Sequence, residues 1–151
     1  MLGLALGLPA CGGSGPNAPA GRLIRGSGYS FEAPTDWVVS RARNVVSARH
    51  ERALISVTVF PRVRGVSGVA WDVLAREMDR AARSVAVQEG AKLAKSETVT
   101  IGSQRARAYT LEHGDVEQRL AFLVTGRRQY QLFCQNAADA CDRLLESFSL
   151  G

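Results

Sequence analysis

The chain has 151 residues, 46% hydrophobic and 22% charged, which is enough for one ordinary core and too little for two full domains. No run of about 18 or more apolar residues occurs, so a membrane-spanning helix is excluded, and the apolar fraction is too high for a chain disordered throughout. Lys and Arg exceed Asp and Glu by 19 to 14; between Arg22 and Arg64 eight Arg face only Glu32, Asp36 and Glu51, so the whole excess of positive charge sits in the first half. The bases are almost all arginine, with only Lys92 and Lys95, a bias that GC-rich codon usage explains without a binding role.

Residues 1–11, Met-Leu-Gly-Leu-Ala-Leu-Gly-Leu-Pro-Ala-Cys, form a short apolar run closed by small residues and a cysteine. This is the pattern of a shortened export signal, and Leu8-Pro9-Ala10-Cys11 resembles the bacterial lipobox. By that resemblance Cys11 becomes the first residue of the mature protein and carries diacylglycerol on its sulfur. Residues 12–26 read as a flexible Gly/Pro/Ser tether that lets a domain stand off a membrane. The expected location is the outer face of a bacterial cell membrane, or the periplasmic side of an envelope membrane.

From residue 27 the pattern is that of strands. Tyr29–Glu32, Trp37–Arg43, Asn44–His50 and Leu54–Phe60 alternate in succession with no helix between them, which predicts an antiparallel meander. Ser67 is expected to cap a helix over 69–88, with Ala70, Val73, Leu74, Met78, Ala81 and Val85 as its apolar stripe. Asp72–Arg76 and Asp79–Arg83 are expected to pair at i,i+4 on its outer face. Strands over 93–101, 105–112, 116–125 and 129–134 follow, separated by Gly102-Ser103, Gly114-Asp115 and Gly126-Arg127-Arg128 as hairpin turns. Asn136 is then expected to cap a final helix whose stripe is Cys141, Leu144, Leu145 and Phe148. The fold class is α+β, an antiparallel sheet of about six or seven strands backed by two helices, in the order β-β-β-α-β-β-β-β-α.

The pattern Tyr29-x-Phe31-x-x-Pro34-x-x-Trp37, the long middle helix, the Gly102 hairpin, Tyr130-x-Leu132 and the terminal Ser147-Phe-Ser-Leu150 resemble the PsbP-like superfamily. Within it the chain resembles the small actinobacterial lipoproteins of the LpqN type. The resemblance covers residues 27–150 and implies an antiparallel sheet backed by helices. It implies no single function, since members range from a photosystem subunit and a nuclear-import factor to lipoproteins, mostly non-enzymatic adaptors, and it supplies no catalytic residue.

The residues themselves spell no reaction. His50 and His113 are the only histidines and have no ligand partner at metal spacing, so no metal and no cofactor are expected. Gly65-Val66-Ser67-Gly68 does not form a nucleophile elbow, and Gly26-Ser27-Gly28 lacks the remainder of a dinucleotide fingerprint. No basic recognition helix suggests nucleic acid. Three cysteines, one consumed by lipid, leave Cys134 and Cys141 as an even pair in an oxidising compartment; both belong to apolar faces turned into one layer, which predicts a disulfide.

Arg41 and Arg43 lie two apart on one strand, Arg62 and Arg64 follow Phe60-Pro61 at the same spacing, and neighbouring strands bring Arg49 and Arg52 within reach of one patch. The ordinary reading is a solvated face paired with Glu32, Asp36 and Glu51; the functional one is a face resting on anionic headgroups or an acidic partner. The sequence as a whole reads as a non-catalytic, lipid-anchored envelope domain. It is expected to bind a protein, lipid or glycan surface component, with the membrane engaged through Cys11. The alternative is a carrier of a hydrophobic small molecule, with its pocket between the sheet and the middle helix.

Overall fold

The computed structural model describes residues 20–151; Cys11 and the first part of the expected tether lie outside the described residues. Its ten strands are β1 (Gly21–Gly26), β2 (Tyr29–Pro34), β3 (Val38–Ala42), β4 (Val45–His50), β5 (Ala53–Pro61), β6 (Lys92–Ile101), β7 (Gln104–His113), β8 (Val116–Thr125), β9 (Arg128–Gln135) and β10 (Ser149–Leu150), with helices α1 (Trp71–Gln88) and α2 (Ala138–Ser147). Strands β3 to β9 build one antiparallel sheet in the order β3-β4-β5-β9-β8-β7-β6, and β1, β2 and β10 build a second, smaller one. The α+β class and the two helices agree with the sequence.

Two layers of side chains explain the order. On one face of the large sheet Leu74, Met78, Ala82 and Ala86 of α1 pack on Tyr109, Leu111, Leu120, Phe122, Val124 and Phe133. On the other, Phe31, Ala33 and Ile24 of the small sheet and Ala140, Cys141, Leu144 and Phe148 around α2 cover Val46, Ala48, Ile55, Val57, Ala121, Leu123 and Leu132. Strand β8 is covered on both sides, which is why Leu120 to Val124 is a continuous apolar run where an outer strand would alternate. The α1–sheet layer, where a carrier would hold its ligand, is filled by these side chains.

Several local expectations are corrected. The tether expected over 12–26 overlaps β1, whose six residues pair with β2 from Gly21↔Pro34 to Gly26↔Tyr29; only Ile24 of this strand is buried, so the hydropathy signal was one residue deep. Ser67 does not cap α1, which begins at Trp71 after Ala70 with no side-chain cap. Its buried row is Leu74, Met78, Ala82 and Ala86 at a strict spacing of four, while Val73 is 40% exposed: the two alanines let the helix approach the aromatic residues of β7 and β8, and the bulkier Val85 is left at the flank. Asp72 does pair with Arg76 at 3.0 Å. Asp79, however, turns to the sheet and takes Arg107 at 3.1 Å and the Tyr109 hydroxyl at 2.7 Å.

Asn136 does not cap α2. It sits at φ 50° and is tied to β8, its amide N–H donating to the Glu117 carbonyl at 2.9 Å and its Oδ1 accepting from the Glu117 N–H at 3.3 Å. The helix start is held instead by the Cys134–Cys141 disulfide, which joins β9 to the first turn of α2 across a separation of seven residues.

Candidate functional site

Antiparallel strands joined by short loops place alternate loops at the same end of a sheet. Here the two-residue connections Ser27-Gly28, Arg43-Asn44 and Gly126-Arg127, read from the registers Gly26↔Tyr29, Ala42↔Val45 and Thr125↔Arg128, gather at one end with the exit of β5 and the last residues of the chain. Between them opens a cleft of about 610 Å³ lined by all three loops, with Tyr29, Val46, Val59, Pro61, Tyr130 and Leu150 as its apolar walls.

The loops are pinned. The Val59 N–H donates to the Asn44 carbonyl at 2.9 Å, the Arg62 N–H to Arg127 at 2.8 Å and the Gly151 N–H to Gly28 at 3.0 Å, while the Asn44 amide reaches the Val59 carbonyl at 3.3 Å. Tyr29 and Tyr130 meet edge to face with centroids 5.9 Å apart and are 5% and 3% exposed, so the floor is packed core rather than mobile surface. Burial raises the Tyr29 phenol above its ordinary value, with Arg41 pulling the other way and Tyr130 adding to the rise. Neither tyrosine is backed by an Asp or Glu side chain in the lining. The side chains bordering the cleft include Arg43, Arg127 and Arg128 and contain no Asp, Glu, His or Cys.

This arrangement regroups the arginines that the sequence placed in one patch. Arg43 lines the cleft, and Arg41 lies beside it, donating to the Arg25 carbonyl at 2.9 Å. Arg49 stands opposite Val38 and, with Arg52, borders a different hollow that also contains Glu51 and Asp115. Arg62 is largely buried and ion-paired with Glu77 of α1 at 2.9 Å. Arg64 is exposed. The six therefore do not share a face: strand alternation puts Arg41 and Arg49 on opposite sides of the sheet, and the β4–β5 turn carries Arg52 to the far end. Arg127 and Arg128, which complete the cleft, read in sequence only as turn residues; the one signal was a pair of adjacent arginines in a tight hairpin.

His50 stacks on Trp37 with centroids 6.4 Å apart and stands 3.9 Å from both Asp36 and Glu51. Among the described residues no group of three His, Cys, Asp or Glu side chains could hold a metal ion.

The antiparallel sheet with one helix on each face, closed by a small sheet at the termini, is a PsbP-like fold. No family model matches the chain, and no curated protein does. Among solved structures it is similar to cyanobacterial PsbP (CyanoP) from Synechocystis sp. PCC 6803, with a TM-score of 0.62, 18% identity and coverage of 95% of this chain and 99% of that one. It is also similar to a protein of Bacteroides thetaiotaomicron VPI-5482, with a TM-score of 0.55, 10% identity, and 88% of this chain against 48% of that chain.

Proposed function

We propose that the chain is a non-catalytic, lipid-anchored domain of a bacterial envelope that binds a partner molecule at its cleft end. The observation that carries this reading is the composition of the cleft: three guanidinium groups over a floor of tyrosine and aliphatic side chains, with no proton-transfer pair among them. Such a lining recognises and holds. The similarity to cyanobacterial PsbP supports an accessory role, and the Cys134–Cys141 bridge supports an oxidising compartment. Anchoring rests on the Leu8-Pro9-Ala10-Cys11 pattern and the uncharged residues that follow it.

Expression of the gene behind a complete signal, followed by fractionation, tests the anchor. Cys11→Ala is expected to move the protein from the membrane to the soluble fraction. An alanine variant held in the membrane as tightly as the wild type sinks the lipoprotein reading.

A further inference from the structure

The cleft gathers three arginines around apolar walls with no acidic side chain among them. Of the fourteen other arginines, four find carboxylates, Arg62 with Glu77, Arg76 with Asp72, Arg107 with Asp79 and Arg119 with Asp142. Among the described residues Arg43, Arg127 and Arg128 make no ion pair, and the one side-chain hydrogen bond from this trio spends a single Arg128 N–H on the Ser27 carbonyl at 3.1 Å. Like charges gathered without an acidic side chain among them favour a site that holds an anion over an empty one. The guanidinium fork matches a phosphate or carboxylate in two hydrogen bonds at once.

An inorganic anion leaves most of the space unused. The cleft's 610 Å³ and its walls of Tyr29, Val46, Val59, Tyr130 and Leu150 fall within the range of roughly 300–1,000 Å³ that suits a small organic ligand. Because the loops are held by the backbone bonds described above, binding requires little ordering of the protein.

From these observations we infer that the cleft is a binding site for a small anionic amphiphile, with its oxyanion head on Arg43, Arg127 and Arg128 and its apolar body over Tyr29, Tyr130 and the aliphatic wall. The inference rests on the reading of the cleft end as the binding face, and it names the ligand class. A phospholipid headgroup with the start of its chains and a soluble phosphate monoester share this chemistry.

The test uses the full chain and three soluble probes, hexyl phosphate, inorganic phosphate and hexanol, each titrated while the backbone amide resonances are followed. Hexyl phosphate is expected to bind saturably, moving the Gly28, Asn44, Gly126 and Tyr130 amides, at least about tenfold tighter than either half-probe, since each contributes only head or body. Arg43→Gln with Arg127→Gln, both exposed and unpaired among the described residues, is expected to weaken hexyl phosphate by about tenfold or more while the melting temperature holds. Hexanol binding as well as hexyl phosphate, inorganic phosphate doing so, or a double variant that binds like the wild type overturns the inference. Vesicles of phosphatidylglycerol against phosphatidylcholine separate the sources: binding to the anionic vesicles that the double variant loses assigns a membrane headgroup, and hexyl phosphate binding without vesicle binding assigns a soluble ester. None of these arms depends on Cys11, so failure of the anchor and failure of the site are read separately.

Discussion

Tyr109→Phe removes one oxygen from the α1–sheet layer. The phenol is 3% exposed and donates to Asp79 Oδ1 at 2.7 Å, an atom that also receives Arg107 Nε at 3.1 Å. A hydrogen bond to a charged acceptor is worth about 1.5–3 kcal/mol. Asp79 keeps Arg107 in the variant and its side chain is 27% exposed, so water relieves part of the loss and the lower end applies: about 1.5 kcal/mol. For the roughly 130 residues of the fold, an unfolding entropy near 2.1 cal/mol/K per residue turns this into a fall in Tm of about 5 °C.

The same contact has a pH signature. Burial, and after it the hydrogen bond and charge of Asp79, holds the Tyr109 phenol well above its ordinary value, with Arg107 opposing. The folded state then keeps a proton that the unfolded state releases at about pH 10. The stabilisation is complete below that pH and is lost as pH rises through the interval up to the folded value. Tyr29 is also raised, so above pH 10 the wild type should lose stability at up to about 2.7 kcal/mol per pH unit from two phenols, and the variant at about half that. Urea unfolding at several values between pH 8 and pH 11 reads both effects. A variant as stable as the wild type at pH 8, with the same alkaline slope, would refute the role given to the Asp79–Tyr109 contact.

Two further outcomes are expected. Paired Cys134→Ser and Cys141→Ser substitutions should cost about 2.5 kcal/mol, the chain-entropy value for so short a loop, measured by urea unfolding; labelling of both thiols in the unreduced, denatured wild type would show that the bridge is not formed. Gly26→Ala should destabilise although strand propensity alone favours alanine, because a Cβ there overlaps the hydroxyl-bearing edge of Tyr29; thermal melting of Gly26→Ala alone and with Tyr29→Ala checks it, since removing the ring should erase most of the cost.

What the sequence made legible was whatever one segment decides by itself. The period-two alternation of Leu54 to Phe60 and the glycines of the 102, 114 and 126 turns fixed strands and hairpins, because strand pairing and loop length are local matters. Cysteine parity and two apolar faces found the Cys134–Cys141 bridge. The missed elements depend on partners remote in the chain. Strand β1 buries a single side chain and exists through its ladder with β2, and β10 is two residues held on the same strand. Asn136 and Ser67 are good capping residues by type, yet Asn136 spends its side chain on Glu117. The cleft was illegible for the same reason: its arginines come from positions 43, 127 and 128, and strand topology alone brings them to one end.

The register of the small sheet also decides how the molecule carries load. Strand β1 begins beside Pro34, at the end of β2 away from the cleft, and ends beside Tyr29, at the cleft itself. A force applied at residue 20 and opposed by a ligand in the cleft therefore acts along the strand axis. All six β1–β2 residue pairs resist together in shear, rather than parting one after another as in a hairpin peeled from its open end. Were the domain tethered at its amino terminus, tension would run through the ladder in its stronger direction, toward the end where the three cleft loops lie.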